Sequence, residues 1–528
     1  MGAIQVSHVG WRLPGGRDLL KDVSFSVGDG ERAALVGANG VGKSTLLRLV
    51  ARELTPTAGA LTVDGRVGVM RQLVGRGGSM DGAPTTVREL LVSLAPPDVR
   101  AAAVRLAAAE RRAMADPIRY ATALSDWGDH GGYHAEQRWD ECVTRAVGLS
   151  LDEVADRPLA TFSGGEQKRI ALEVLLRGDD DILLLDEPDN FLDVDAKRWL
   201  EGELRTTAKT VLYVSHDREL LAATATRVVT VEAEGAWTHG GGFAGYSEAR
   251  RRHLDKLAHD HALYDTERRR LEALVAEMRR RAKISDTFAP KLKAAESKLR
   301  QFVERTEQPV KVREQRVDVR LGGARTGKRA VIIEQLELDG LTDPFDLEVW
   351  FGERVAVLGP NGVGKSHFLR LLAGDESVAH SGGARLGAGV VPGLFHQTHD
   401  HPEWAGRTLL EILHDHDVVR GPAMGMLRRY ELDGCAEQPF DTLSGGQQAR
   451  LQILLLERSG ATLLLLDEPT DNLDLVSAEA LEAGLSQFTG TVVATTHDRW
   501  FLRGFDRFVV FGADCSVVDH LDVPAGWR

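Results

Sequence analysis

Cysteine is scarce in this chain: three residues in 528, Cys142, Cys435 and Cys515, lie far apart without the spacing of metal ligands. Their odd number and separation exclude a disulfide-stabilised scaffold and a zinc cluster. Long apolar runs are also missing, because the longest, Ile182 to Leu185 and Leu463 to Leu466, end at once in Asp-Glu. A membrane span needs roughly 18 apolar residues, so we expect no stable membrane insertion.

The chain begins without a basic stretch followed by an apolar core, so we expect no secretory signal and a cytoplasmic location. Its 528 residues exceed what one hydrophobic core organises, which predicts two to four domains. The 43% hydrophobic and 27% charged residues are ordinary for a globular protein and exclude a disordered one. These features together favour a multi-domain enzyme.

Charge is unevenly distributed. The net charge of −13 argues at first against nucleic acid, yet residues 247–320 hold 20 Lys and Arg against 13 Asp and Glu. Within residues 268–300 there are 11 basic against 4 acidic residues, so the excess lies in that stretch. Such asymmetry predicts an anionic partner at one place on the protein.

The chain contains an internal duplication. The segment GANGVGKS at 37–44 returns as GPNGVGKS at 359–366, 322 residues later. FSGGEQ, LLLDEP and SHDR return as LSGGQQ, LLLDEP and THDR, each 281 residues later. We therefore predict two related domains, 1–246 and 329–528. The change of offset predicts an insertion of roughly forty residues within about 80–150 of the first copy. Part of it, Val99 to Met114, is expected to be a helix, which is either a surface decoration or a functional element.

Residues 247–328 have a different pattern. Leu257, Tyr264, Leu271 and Met278 recur every seven residues, and a second helical stretch follows a break at Ile284 to Pro290. This predicts an antiparallel coiled-coil hairpin whose basic residues cluster toward its tip. Those residues form either a solvated face or a binding surface, and we favour binding. Phe288 at the tip is equally suited to stack on a base or to pack the end of the hairpin.

Each copy carries a phosphate-binding loop. A hydrophobic strand runs into G-x-x-G-x-G-K-S and then into a Leu-rich helix. Glycines let backbone N–H groups approach phosphate oxygens, and the helix N-terminus adds positive charge. Lys43 and Lys365 are expected to reach the β- and γ-phosphates of a nucleotide, and Ser44 and Ser366 to offer Mg²⁺ an oxygen ligand.

Acidic residues follow two apolar strands. Asp186 and Asp467 are expected to lie beside Mg²⁺ at the carboxyl edge of a sheet. The next residues, Glu187 and Glu468, are candidates to orient or deprotonate the attacking water. After another apolar strand in each copy come His216 and His497, which are predicted to contact the γ-phosphate.

A serine and two glycines begin a further helix in each copy, at 163–166 and 444–447. The backbone N–H groups at such a helix start form an anion site. Taken alone, either motif is also explained as a helix cap.

The order of P-loop, glutamine, SGGQ-type signature, LLLDEP, D-loop and His-Asp-Arg, present twice, resembles the ATP-binding cassette ATPases. The resemblance implies an α/β fold of two P-loop cassette domains joined by the helical hairpin. It also implies composite sites, in which the signature of one cassette closes over ATP held by the other. One site would join Lys43, Gln72, Asp186, Glu187 and His216 with residues 444–447. The other would join Lys365, Gln397, Asp467, Glu468 and His497 with residues 163–166.

The P-loop pattern and the resemblance assign residues to both ligands. Those expected to contact ATP are Trp11 (by stacking on adenine), Gly37, Asn39, Gly40, Gly42, Lys43, Ser44, Thr45, Gln72, Ser163, Gly164, Gly165, Glu166, Gly359, Asn361, Gly362, Gly364, Lys365, Ser366, Gln397, Ser444, Gly445, Gly446 and Gln447. Those expected to bind Mg²⁺ are Ser44, Gln72, Asp186, Ser366, Gln397 and Asp467. The catalytic candidates are Glu187, Glu468, His216 and His497.

Two cassettes in one chain with a charged helical linker resemble the ABC-F proteins, which are translation factors or antibiotic-resistance ribosome-protection factors. The resemblance implies a monomer with paired cassettes whose hairpin, about 268–300, contacts rRNA and tRNA on the ribosome. The family D-loop usually reads P-T-N-H-L-D, whereas this chain has P-D-N-F-L-D at 188–193 and P-T-D-N-L-D at 469–474. We therefore expect two competent but unequal sites.

Two other functions were considered. The chain could be the ATP-binding subunit of an exporter with a separate membrane protein, although the basic hairpin would then have no evident purpose. A DNA-repair or chromosome-organising cassette ATPase fits less well, because the hairpin is short and no zinc-binding cysteines interrupt the domains.

Overall fold

The computed structural model describes residues 2–71, 85–111, 115–232, 235–285, 288–306, 309, 317–396, 401–471 and 473–527. The chain divides into two compact units. One comprises Met1–Gly242 and Arg316–Arg528, and the other is Phe243–Gln315. In the described ranges no helix has the length and apolar character to cross a bilayer.

We call the part of the first unit from β1 to β9 cassette 1. Its strands are β1 (Ala3–Arg12), β2 (Asp18–Val27), β3 (Arg32–Val36), β4 (Ala58–Asp64), β5 (Val67–Met70), β6 (Ile182–Asp186), β7 (Thr210–Val214), β8 (Arg227–Glu232) and β9 (Gly235–Gly240). Its helices are α1 (Lys43–Val50), α2 (Val87–Leu94), α3 (Pro97–Glu110), α4 (Pro117–Asp129), α5 (Gly132–Val147), α6 (Leu151–Val154), α7 (Gly164–Arg177), α8 (Val194–Thr206) and α9 (Arg218–Thr224).

The second unit contains α10 (Tyr246–Ala282) and α11 (Ala289–Arg305). Cassette 2 runs from β10 to β18. Its strands are β10 (Arg329–Leu338), β11 (Phe345–Trp350), β12 (Arg354–Leu358), β13 (His380–Leu386), β14 (Pro392–Phe395), β15 (Leu463–Asp467), β16 (Thr491–Thr495), β17 (Arg507–Phe511) and β18 (Val517–His520). Its helices are α12 (Lys365–Leu372), α13 (Leu409–Asp415), α14 (Arg420–Arg429), α15 (Gly445–Arg458) and α16 (Leu475–Gln487).

Both cassettes have the same sheet topology. The larger sheet of cassette 1 has the order β5-β6-β7-β3-β8-β9, and that of cassette 2 has the order β14-β15-β16-β12-β17-β18. All neighbours are parallel except the last pair in each sheet. Strands β6 and β15 are buried along their whole length, as expected for parallel strands covered on both faces. A three-stranded antiparallel sheet completes each cassette. This confirms the predicted α/β fold.

The insertion of cassette 1 contains α3 and α4, which pack on each other. The expected helix from Val99 to Met114 is α3. It begins two residues earlier, because Pro97 occupies the first helical position, and it ends at Glu110. The predicted last turn, 112–114, lies outside the described residues.

The second unit is the predicted helical hairpin, with its break between Ala282 and Ala289. Its two helices are held together by buried Leu271 and Val275 and by a stacked pair, Tyr264 and Phe302, with ring centroids 5.0 Å apart. Proline in the second position of α11 supports the helix start there. The seven-residue spacing therefore predicted the inner face of α10 correctly.

Candidate functional site

The P-loop of cassette 1 joins β3 to α1. Gly42 caps the helix with φ 106°, in the left-handed region that favours glycine. The ammonium of Lys43 donates to the carbonyl oxygens of Gly37 at 2.8 Å and Ala38 at 3.1 Å. Burial lowers the pKa of Lys43. The loop is therefore preformed around a lysine that carbonyl oxygens hold in place.

The P-loop of cassette 2 repeats this arrangement between β12 and α12. Lys365 donates to Gly359 O at 2.7 Å and to Pro360 O at 2.8 Å. Gly364 caps α12 with φ 101°. Because no side chain was shared between the two descriptions, the agreement shows that the local sequence determines the loop.

A carboxylate at the end of a central strand lies beside each P-loop serine. A hydrogen bond from Ser366 Oγ reaches Asp467 Oδ1 at 3.0 Å, and Thr495 Oγ1 donates to the same oxygen at 2.6 Å. In cassette 1, burial raises the pKa of Asp186, and a hydrogen bond with Ser44 opposes the change. Asp186 Oδ1 is buried and has no hydrogen-bond partner among the described residues. Such an atom is suited to an incoming cation or water.

The candidate catalytic glutamates have unusual backbone conformations. Glu187 has φ 49° and Glu468 has φ 46°, which are costly for residues with a Cβ and are typical of functional sites. Asn190 Nδ2 donates to Glu187 Oε2 at 2.7 Å, and the backbone N–H of His497 donates to Glu468 Oε2 at 2.9 Å. Burial raises the pKa of Glu187 to about 7 and that of Glu468 to about 8.

The two histidines differ in their contacts. Neither ring nitrogen of His216 has a hydrogen-bond partner in the described part of the chain, and burial lowers its pKa to about 3. His497 Nε2 lies 2.9 Å from Asn361 Oδ1 and 3.4 Å from Lys365 Nζ. Its ring also stacks on Trp527 with centroids 5.7 Å apart. The second site is therefore more tightly bonded internally than the first, in line with the expected inequality.

Each signature motif is a helix cap in the structure. Ser163 Oγ accepts from Glu166 N at 3.2 Å, while Glu166 Oε2 accepts from Ser163 N at 2.7 Å. Ser444 and Gln447 form the same reciprocal pair, and Gln447 Nε2 also donates to Cys435 Sγ at 3.1 Å. The capping reading is thus correct as far as the serine is concerned. The first N–H groups of a helix lack intrahelical partners, so an anion role for the glycine N–H groups is compatible with the cap.

The D-loop of each cassette contacts the P-loop of the other. The backbone N–H of Asn39 donates to Asp474 Oδ2 at 3.1 Å. In the opposite direction, Asn361 Nδ2 donates to Phe191 O at 3.1 Å. These contacts bring together the halves that the composite arrangement requires.

A reciprocal pair of ion pairs also joins the cassettes. Arg218, in the SHDR motif, contacts both carboxylate oxygens of Glu482 on α16, one of them at 3.2 Å. Arg499, in the THDR motif, contacts Glu201 on α8. Both arginine side chains are less than one-tenth exposed. Arginine and glutamate each recur at the offset of 281, so sequence self-comparison contained a signal for this pairing that was not used.

We expect Arg218→Glu to lower ATP turnover at least tenfold, because a carboxylate would then face Glu482 and Asp498 across the interface. Adding Glu482→Arg restores an opposite-charge pair and should recover most of the turnover. Steady-state phosphate release measures both variants. A charge-swapped protein as inactive as the single variant would contradict an interface role for this pair.

Other predicted site residues are placed as follows. Trp11 is half-buried at the end of β1 and packs against the core of cassette 1. Thr45 lies in α1. Gln72 and Gln397 lie outside the described residues, so their predicted contacts with ATP and Mg²⁺ stay predictions.

Several residues near the sites were missed by sequence reasoning. Lys168 is fully buried in α7 and donates to the backbone oxygen of Glu187, and burial lowers its pKa to about 8. Asn190 and Trp527 contact a catalytic candidate directly. Their roles depend on contacts between distant segments, which no local pattern in the sequence indicates.

Comparison with known proteins gives a consistent result. A family model described as ABC transporter matches residues 20–190 and 342–471. The chain is 50% identical to an antibiotic resistance protein of Mycobacteroides abscessus over 99% of both chains. It is 34% identical to the tylosin resistance ATP-binding protein TlrC of Streptomyces fradiae over 92% of each.

A solved structure described as a model of ribosome-bound archaeal Pelota and ABCE1 matches with a TM-score of 0.56 at 19% identity. The match covers 97% of this chain and 78% of that chain, and it shows the fold alone.

These findings identify a tandem-cassette ATPase that binds ATP. The chain belongs to the ATP-binding cassette family and, within it, to the ABC-F group.

Proposed function

We propose that this protein binds ribosomes and protects them from an antibiotic, using ATP binding to engage and ATP hydrolysis to release. The names of the two relatives support the resistance part, and the ribosome-bound complex of the structural neighbour supports the partner. The domain boundaries 1–246, 247–328 and 329–528 and a monomer with paired cassettes belong to the same proposal.

The observation that carries the proposal is the charge at the end of the hairpin. Arg280, Lys283 and Lys293 flank the break between α10 and α11, and all three are exposed. None of the three forms an ion pair with another described residue, in contrast to Arg279, which pairs with Glu296 at 2.8 Å. Unpaired cations at one end of a long hairpin suit the phosphates of rRNA and tRNA.

Phe288 lies between cations at this end of the hairpin. Lys291 Nζ is 5.4 Å and the Arg281 guanidinium carbon 5.8 Å from its ring centroid. The ring therefore packs the hairpin end, and its other predicted role, stacking on a base, belongs to the proposal.

The residues present fit Mg²⁺-ATP. Lys43 is preformed in its loop, and Asp186 Oδ1 and both ring nitrogens of His216 are buried and lack partners among the described residues. Ser44 and Asp186 would hold Mg²⁺ in one site, and Ser366 and Asp467 in the other. When bound, Mg²⁺ neutralises charge that develops on the phosphates.

The chain's own groups would then divide the work. Lys43 and Lys365 bind the phosphates, and Glu187 and Glu468 accept a proton from the attacking water at a carboxylate oxygen. His216 and His497 are predicted to contact the γ-phosphate. Their pKa values are lowered by burial, so both rings are neutral at pH 7.

The variant Glu187→Gln with Glu468→Gln tests the proposal, because it should hold ATP without hydrolysing it. We expect it to pellet with purified ribosomes through a sucrose cushion only when ATP is present. Wild-type protein with ADP is the control. A variant that stays in the supernatant at both low and moderate salt would contradict ribosome binding, and membrane co-fractionation would then test the exporter alternative.

The same proposal is tested on the drug side by cell-free translation inhibited by tylosin, the antibiotic named in one relative. Wild-type protein with ATP should restore translation, whereas Lys43→Met with Lys365→Met should not. If tylosin gives no rescue, other ribosome-directed drugs are screened. Ribosome binding without rescue from any of them would favour a general translation role instead.

A further inference from the structure

Lys197 on α8 is a buried cation at the boundary between the cassettes. Its ammonium lies 3.0 Å from Asp217 Oδ2 within cassette 1 and donates to the backbone oxygen of His497 in cassette 2 at 3.5 Å. The side chains of Lys197 and Asp217 are less than one-tenth exposed. A cation buried to this degree is retained only where several acceptors or opposite charges surround it.

The duplication makes this lysine asymmetric. The position 281 residues after Lys197 is Ala478, so cassette 2 has no equivalent cation. The D-loops differ in a matching way. Asp189 of cassette 1 corresponds to Thr470, and Asp471 of cassette 2 corresponds to Asn190. Each D-loop thus carries one aspartate that the other cassette lacks.

These two aspartates are close enough to act on each other. Burial raises the pKa of Asp471, and the charge of Asp189 raises it further, whereas Lys197 opposes both effects. Burial alone would lower the pKa of Lys197, but the charges of Asp217, Asp189 and Asp471 outweigh it, and the pKa is raised. Lys197 is therefore charged and lies in the field of carboxylates from both cassettes.

We propose that Lys197 is a positioning residue that holds the D-loop of cassette 2 and the backbone of His497 against cassette 1. Without it, Asp189 and Asp471 repel each other across the interface, and the backbone oxygen of His497 loses a donor. The second ATP site, which contains His497, thus depends on a side chain of cassette 1. The first site has no corresponding dependence on Ala478, so the coupling between the sites runs in one direction.

Two links connect this lysine to the reaction. The backbone N–H of His497 donates to the candidate base Glu468 at 2.9 Å, so a shift of this backbone moves that carboxylate. The Asp471 backbone N–H donates to Glu468 O at 3.1 Å, so the D-loop is tied to the same residue. Because Lys197 lies away from the P-loop lysines, its loss should affect turnover more than ATP binding.

The test is a double-mutant cycle across the interface, in full-length protein without ribosomes. Lys197→Met should lower kcat for ATP at least tenfold and change KM less than about threefold. Asp471→Asn places the residue of the paired position at this site. In the Lys197→Met background it should recover at least half of the lost activity on a logarithmic scale, because the unbalanced charge in cassette 2 is removed.

A comparator inside cassette 1 separates this role from a purely structural one. If Lys197 matters only through its ion pair with Asp217, then Asp217→Asn will rescue Lys197→Met and Asp471→Asn will not, which overturns the proposal. Wild-type kcat in Lys197→Met overturns it as well. Lys209→Met is the matched control, because Lys209 donates to Gly178 O and Asp180 O within cassette 1. We expect this control to leave kcat unchanged.

Thermal unfolding verifies that each variant is folded at the assay temperature, and Lys197→Gln replaces Lys197→Met if the latter is not. The proposal concerns ATP turnover alone. Its failure would therefore leave ribosome binding intact, and a failure of ribosome binding would leave the cycle interpretable.

Discussion

Replacing Glu187 and Glu468 together by glutamine should reduce ATP hydrolysis by about 10²- to 10⁴-fold, the usual contribution of a general base. Glutamine keeps the shape of the side chain and an oxygen that can accept the hydrogen bond from Asn190 in one site and from the His497 N–H in the other. It cannot accept the proton of the attacking water. ATP affinity should therefore change little while turnover is lost, as phosphate release and equilibrium nucleotide binding would show.

A matched control exists in each cassette. Glu153 and Glu411 accept hydrogen bonds from the backbone N–H groups of Ser150 and Thr408 in capping boxes, away from the P-loops. Glutamine serves in a capping box as well, so Glu153→Gln with Glu411→Gln should hydrolyse ATP within about twofold of wild type. Unchanged turnover in the Glu187 and Glu468 variant would show that neither glutamate is the base.

Because the two sites have different contacts, the single variants should not be equivalent. His216 has free ring nitrogens among the described residues, whereas His497 is held by Asn361 and Lys365. Single-site turnover, measured in each single Glu→Gln variant, would report the difference.

Reversing three charges at the end of the hairpin, with Arg280→Glu, Lys283→Glu and Lys293→Glu, should weaken ribosome binding on the order of 100-fold or more. Each lost phosphate contact lowers the salt dependence of binding by roughly one unit of slope in a plot of log K against log salt. The slope should therefore fall by about two to three units. Co-sedimentation over a range of salt concentrations measures both quantities.

This variant does not break an ion pair among the described residues, so the hairpin should stay folded. The control reverses three basic residues at the opposite end of the hairpin, Arg251, Lys256 and Arg305, all of which are exposed. Both triple variants should retain wild-type ATPase activity without ribosomes. Equal loss of ribosome binding in the two would indicate non-specific electrostatics rather than contact through this end.

The sequence by itself determined the local parts of this protein. The P-loops, the acidic strand ends and the helix caps are encoded within a few residues each, and the structure places them in nearly identical form in both cassettes. The hairpin followed from heptad spacing and from Pro290 after the break. The insertion followed from a change of offset between repeats, although the end of α3 did not, because helix ends depend on neighbouring packing.

Only the tertiary structure decided how the two sites differ. Lys197 occupies a position that helical periodicity reads as one more polar residue in a mixed helix, and its environment depends on Asp471 from a segment 274 residues away. The pairing of Arg218 with Glu482 and the stacking of Trp527 on His497 arise in the same way. Burial energies and charge interactions depend on which surfaces meet, and this is fixed when the two cassettes pack together, after each local motif has already formed.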